Sequence, residues 1–185
     1  MLRAAQPRAQ LELFEDKSAG GFFSTAEGDA SLVMRMKEDY DGAEPSGNSV
    51  AGYNLLRLAQ MTDRKDFRDA AGRLLRAFAP RITASPVTAP QLLAAYEFSL
   101  SKPKQIVLVG TAGLEKLLHE LNSRFLPNKI VLLVDGEPSR KALSAYLPVL
   151  ETMTEKGGQA TAYVCENYAC QLPTADPKKF AELLQ

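Results

Sequence analysis

The chain has 185 residues, with 22 Lys and Arg balancing 22 Asp and Glu. That length suffices for one ordinary domain or two small ones with a true core, so no metal or disulfide staple is required. The even charge, the 8% aromatic content and the absence of Trp offer nucleic acid neither a basic field nor a stacking platform.

From the N-terminus, residues 2–15 read as a helix with Leu2, Ala5, Ala9, Leu13 and Phe14 on one face. Pro7 is expected to kink or restart it. The start carries no secretory apolar stretch. With two cysteines and no signal, a reducing, cytoplasmic setting is expected. Gly20-Gly21 marks a turn, and Phe22-Phe23 opens a short strand. Residues 31–37 alternate, with Leu32, Met34 and Met36 set against Val33, Arg35 and Lys37. That pattern suits the second arm of a β-hairpin turning at 26–30.

Three helices follow. The first spans about 46–61, with Val50, Tyr53, Asn54, Leu55 and Leu58 near one side. The second spans 66–83, with a stripe of Phe67, Ala70, Ala71, Leu74, Leu75 and Phe78, and Thr62 or Asp63 as its cap. The third spans 89–100 and is entered through Pro86 and Pro90. After Ser101-Lys102-Pro103 the pattern changes. Continuous apolar runs at 105–110 and 129–136 read as strands buried on both faces, and 159–165 as a third strand. Amphipathic helices separate them, the second one broken or bent at Pro148. A last helix begins with Asp176 as N-cap and Pro177 at its first position. Strand–helix–strand–helix–strand implies a small three-layer α/β region with a mostly parallel sheet. No apolar run reaches the length of a membrane span.

The chain is therefore expected to be α+β, divided into a helical part at 1–101 and a small α/β domain at 104–185.

Four clusters carry chemistry or its semblance. The stretch KEDYDGAEPSGNS places Asp39, Asp41 and Glu44 just before Ser46 and Asn48 at a helix start. One reading is structural: acids complement the helix dipole, and Ser46 or Asn48 caps it. The other is a ligand lip, since one cap suffices to start a helix. The extra polar residues leave N–H groups and hydroxyls facing a polyhydroxy or anionic ligand. Carboxylates held several ångströms apart also suit acid–base work at a sugar carbon.

The turn Gly110-Thr111-Ala112-Gly113 lacks the third glycine of a dinucleotide fingerprint and the Lys-Ser/Thr of a phosphate loop, so an ordinary strand–helix turn explains it. Cys165 and Cys170 are five residues apart, too few ligands for zinc and a longer spacing than a thioredoxin-type pair. Buried inert thiols, a local disulfide and a redox pair all fit. The single histidine, His119, has no nucleophile nearby in sequence and reads as a helix-surface residue. No metal and no cofactor are expected.

Three stretches, DKSAGGFFST, RMKEDYDGAEPSGNSVAGYNLLRLA and AYVCENYACQLPTADP, resemble in order and spacing the C-terminal part of a family of large thioredoxin-domain-containing proteins. The family includes the animal spermatogenesis-associated thioredoxin-like protein. The resemblance implies an N-terminal thioredoxin-like domain, then a six-hairpin glycosidase-like α/α barrel, then a small α/β region. On it, residues 1–101 are the closing helices of the barrel with a β-hairpin, and 104–185 are the C-terminal domain. It also implies that the partners are the thioredoxin-like domain and the rest of the barrel. Helices lacking barrel neighbours would expose apolar stripes and favour a homodimer. The loop at 39–48 would join helices at the ligand end of the barrel. No reaction follows from the resemblance. The readings carried forward are a carbohydrate-binding or carbohydrate-processing barrel segment and a non-catalytic interaction module with redox-active cysteines.

Overall fold

The computed structural model describes residues 5–28 and 32–185, the side chains of 5–7 excepted. These residues form seven α-helices and a four-stranded mixed sheet. They fall into two compact units, Met1–Ala59 with Asp63–Ser101, and Gln60–Thr62 with Lys102–Gln185.

In the first unit, α1 spans Ala5–Leu13. Pro7 lies near the start of the described part of this helix. Its inward residues are Leu11 and Phe14, whereas Leu13 is exposed. Leu2 lies outside the described residues.

The helices α2 (Gly47–Thr62), α3 (Lys65–Ala84) and α4 (Pro90–Leu100) surround one core. The α3 stripe is as expected: Phe67, Ala70, Ala71, Leu74 and Phe78 are buried, and Leu75 packs against them. The α2 face is different. Its buried apolar residues are Ala51, Leu55 and Ala59 beside Gly52, while Val50 is 40% exposed. The reason is close approach: a Cβ at Gly52 would meet Leu74 Cδ2 at 3.0 Å. Asp63 does not cap α3. It closes α2 in the left-handed conformation, and Arg64 is the N-cap of α3 without a side-chain bond.

The expected β-hairpin is absent among the described residues. Phe22 forms a single bridge with Glu15, and residues 32–37 join no ladder. One bond, Ser24 N–H to the Met36 carbonyl at 2.8 Å, marks the approach. The 32–37 alternation exists but faces the other way. Arg35 and Lys37 are the part-buried residues, and Met34 and Met36 are 71% and 62% exposed. Side chains hold this segment in place of a ladder. The Arg35 guanidinium lies 4.0 Å from the Phe23 ring centroid and donates to the carbonyls of Thr25 and Leu13. Lys37 pairs with Asp16 at 2.6 Å and donates to the Gly20 carbonyl at 2.7 Å.

In the second unit the strands β1 (Lys104–Val109), β2 (Lys129–Val134), β3 (Thr161–Glu166) and β4 (Ala169–Cys170) lie in the order β2-β1-β3-β4. Only β1 and β2 are parallel. β3 runs antiparallel to β1, and β4 to β3. The expected mostly parallel sheet is thus mixed, for a local reason. Gly157 and Gly158, at φ +60° and +68°, reverse the chain across a Lys156–Gln159 bridge just before β3. The strand then enters from the opposite end.

Helices α5 (Leu114–Asn122) and α7 (Pro177–Leu183) cover Ile106, Leu108, Ala162 and Val164 on one face. Val107, Val109, Leu132 and Val134 on the other face meet Leu143, Leu147, Leu150 and Met153. Leu143 belongs to α6 (Glu137–Ser144), which ends before Pro148, where a 3-10 turn over Pro148–Thr152 takes over. β2 alternates between buried and exposed positions, as an edge strand does, and is not buried on both faces. Asp176 caps α7 by accepting from the Lys178 N–H at 2.9 Å, with Pro177 first in the helix, as expected.

Candidate functional site: a pocket beside the acidic loop

The acidic loop separates into residues that build the fold and residues that remain available. Asp41 builds it. Its carboxylate accepts from the Ser46 N–H through Oδ1 and from the Gln91 N–H through Oδ2, both at 2.8 Å. One buried side chain so supplies an acceptor to the first turns of both α2 and α4, each of which has unpaired N–H groups. Its own N–H donates to the Thr88 carbonyl at 2.8 Å. Burial pushes its carboxyl pKa up, but bonds from the Ser46 N–H, the Ser49 hydroxyl, the Gln91 N–H and the Ser46 hydroxyl hold it below the usual value.

Ser46 is the N-cap of α2, its hydroxyl accepting from the Ser49 N–H at 3.2 Å. Asn48 is 2% exposed. Its Oδ1 accepts from the Phe22 N–H at 2.7 Å, and its Nδ2 donates to the carbonyls of Phe22 and Glu38 at 2.9 and 2.8 Å. Asp39 lies 3.7 Å from Arg81 in an exposed ion pair, and Glu44 is exposed. Of the five sequence candidates, the structure brings Asp41, Ser46 and Asn48 together as scaffold and leaves Asp39 and Glu44 at the surface.

Beside this scaffold is a pocket of about 350 Å³, lined by Ala9, Gln10 and Phe14 from one side, Phe22, Phe23 and Ser24 from another, and Glu38, Gly47 and Asn48 at the base of α2. Only Asn48 among the candidates reaches it. Gln10, Phe14, Phe23, Ser24 and Glu38 were missed by sequence reasoning. The signal that could have found them is the double glycine before Phe22-Phe23. Gly20 and Gly21 have φ of +80° and +78°. A Cβ on Gly20 would lie 2.5 Å from the Arg73 carbonyl oxygen, and one on Gly21 would lie 2.9 Å from the Phe78 ring. The turn is therefore pressed onto α3, which sets Phe22 and Phe23 at the pocket wall. Asp16 ties the turn by accepting from the Ser18 and Ala19 N–H groups at 3.0 and 2.9 Å. Lys37, then the Ser18 hydroxyl and the Ala19 N–H, hold the Asp16 carboxyl far below its ordinary range. Arg73 donates through Nε to Glu15 at 2.9 Å.

Cys165 and Cys170 form a disulfide between paired positions of β3 and β4. The Glu155 carboxylate lies where a Cβ of Gly110 would be. A negative group beside that turn opposes phosphate binding there. His119 sits in the last turn of α5. No group of three or more His, Cys, Asp or Glu able to hold a metal occurs among the described residues. No described helix is long and apolar enough to cross a membrane.

The architecture defines an α+β chain of two units with one scaffolded loop. Comparison with known proteins adds a relationship. The chain is 44% identical over 179 residues to human spermatogenesis-associated protein 20, and 41% identical to the rat protein of the same name, in each case across 95% of the chain. An uncharacterised protein of Caenorhabditis elegans, B0495.5, is 31% identical over 169 residues. The chain spans only 23% of the length of each of these relatives. No family model matches it.

Proposed function

We propose that this chain is the C-terminal part of a larger thioredoxin-domain protein. In this reading its first unit closes a six-hairpin α/α barrel that binds a carbohydrate-like ligand. The observation that carries the ligand assignment is the pocket lining. Phe14 and Phe23 offer ring surface to the apolar face of a sugar over the buried Phe22, while Gln10, Ser24 and Glu38 offer hydroxyl partners. The acidic loop supports the pocket through Asn48 and Asp41, and Glu44 and Asp39 lie outside it. The rest of the barrel and an N-terminal thioredoxin-like domain complete the assembly, which we place in the cytoplasm. Similarity over 95% of the chain to proteins about four times as long supports the larger assembly.

The test is ligand-observed NMR with methyl hexosides and N-acetylhexosamines, on this chain and on Glu38→Gln and Gln10→Ala variants. Glu38→Gln should weaken a bound hexose about tenfold, the loss of one charge-assisted hydrogen bond. A hexose that binds the variants as well as the parent sinks the assignment, and so does the absence of any hexose binding.

A further inference from the structure

We propose that the Cys165–Cys170 disulfide is a site of thiol–disulfide exchange with a dithiol protein, attacked at Cys170 Sγ. The inference stands apart from the ligand pocket and rests on the hairpin.

β3 and β4 are joined by the two-residue turn Asn167-Tyr168, whose φ values are +50° and +63°. This is the turn geometry that continues a right-handed strand twist. The Gln171 N–H donates to the Val164 carbonyl at 2.9 Å, so the next rung inward, Cys165 opposite Cys170, is a non-hydrogen-bonded pair. Two consequences follow from that rung. The side chains are at their closest, with Cα atoms 3.9 Å apart, which brings the sulfurs together across the strands. The N–H and carbonyl of Cys170 also point away from β3. Since β4 is the last strand of the sheet among the described residues, they point to its edge.

The two sulfurs differ in access. Cys165 is 2% exposed and its strand pairs on both sides, whereas Cys170 is exposed. An attacking thiolate needs a line of approach through the sulfur it strikes toward the one that leaves. Only attack on Cys170, with Cys165 behind it, gives that line from solvent.

The recognition chemistry lies alongside. Leu172 is 87% exposed and Tyr168 42%, placing apolar side chains on both sides of Cys170. An extended segment of a partner could pair with the edge-facing backbone groups of Cys170 and bury Leu172. A small thiol has no use for either feature, so the partner that fits is a dithiol protein with an apolar rim around its nucleophile.

The step balances. The donor thiolate forms a bond to Cys170 Sγ, and the Sγ–Sγ bond breaks with its electron pair on Cys165 Sγ, which takes a proton from water. The donor's second thiolate then attacks the donor sulfur of the mixed disulfide and releases Cys170 as the thiolate, which takes the second proton from water. The chain gains two electrons and two protons, and the donor becomes a disulfide.

The experiment mixes the folded, oxidised chain with a thioredoxin-type oxidoreductase whose resolving cysteine is replaced by serine. Mixed disulfides are then mapped by mass spectrometry, and reduction by dithiothreitol is followed in parallel. A mixed disulfide on Cys170 is expected. Leu172→Asp should slow capture roughly fivefold, the size of a modest interface contact, and leave reduction by dithiothreitol unchanged. Linkage through Cys165 overturns the proposal. So does capture that Leu172→Asp does not slow, or reduction that proceeds only at the rate of unfolding. The variant with both Cys165→Ser and Cys170→Ser, checked for its fold by circular dichroism, sets the background.

Discussion

Asp41 shows how far a single side chain's role departs from its sequence appearance. In the sequence it is one of four acids in a crowded loop. In the fold it is 9% exposed and holds the starts of two helices, one of them through Gln91, 50 residues further along the chain. Replacing it with alanine leaves two helix-terminal N–H groups without their acceptor, at about 2–4 kcal/mol in total. Its carboxyl, like that of Asp16, has a folded pKa below the ordinary 3.8. Such groups contribute stability that is fully present above about pH 4 and lost as pH falls through the lowered folded values. Urea denaturation between pH 7 and pH 3 should therefore show the parent losing stability on the acid side. Asp41→Asn should start lower and lose less. A variant with the parent's full acid slope would show that Asp41 is not a contributor.

Elements with strong local grammar were legible. The α3 stripe, the Asp176-Pro177 start of α7 and the change of pattern near residue 101 all follow from side-chain period and capping chemistry, which are local. The hairpin and the sheet direction were not legible, for a different reason in each case. Residues 32–37 alternate like a strand, but the partners of Arg35 and Lys37 are a ring and several carbonyls contributed by residues 13–25. Alternation reports two faces and not which one turns inward. The direction of β3 turned on Gly157-Gly158, a hairpin signal overshadowed by the strand–helix rhythm around it. The pocket was half legible: the polar loop drew attention to its floor, while its aromatic wall came from a turn whose contact with α3 is long-range. The Cys165–Cys170 bond closes a loop of only six residues. By loop entropy it contributes about 2 kcal/mol, so the α/β unit, with cores on both sheet faces, should keep its fold when the bond opens.

For the whole molecule, balanced charge and exposed apolar side chains act in the same direction. Val33, Met34, Met36 and Tyr40 are each at least 60% exposed within eight residues, and no net charge keeps copies apart. If the rest of a larger protein normally covers this segment, the chain on its own should self-associate through it. Sedimentation velocity over roughly a hundredfold concentration range should show a rising mean coefficient that Met34→Lys with Met36→Lys abolishes. A parent that stays monomeric throughout contradicts the covering role. The absence of a net field also means that the association should respond weakly to salt.

The double-glycine turn has a genetic consequence. Every amino-acid-changing single-base substitution in a glycine codon installs a Cβ, and at Gly20 and Gly21 there is no room and no permissive backbone for one. Gly47 has open space and lies in ordinary helical conformation. In a saturation screen scored by soluble expression, codons 20 and 21 should thus be almost bare of surviving missense alleles while codon 47 carries many. These two codons would be an inheritable weak point of the protein, at residues that have no side chain of their own with which to touch a ligand.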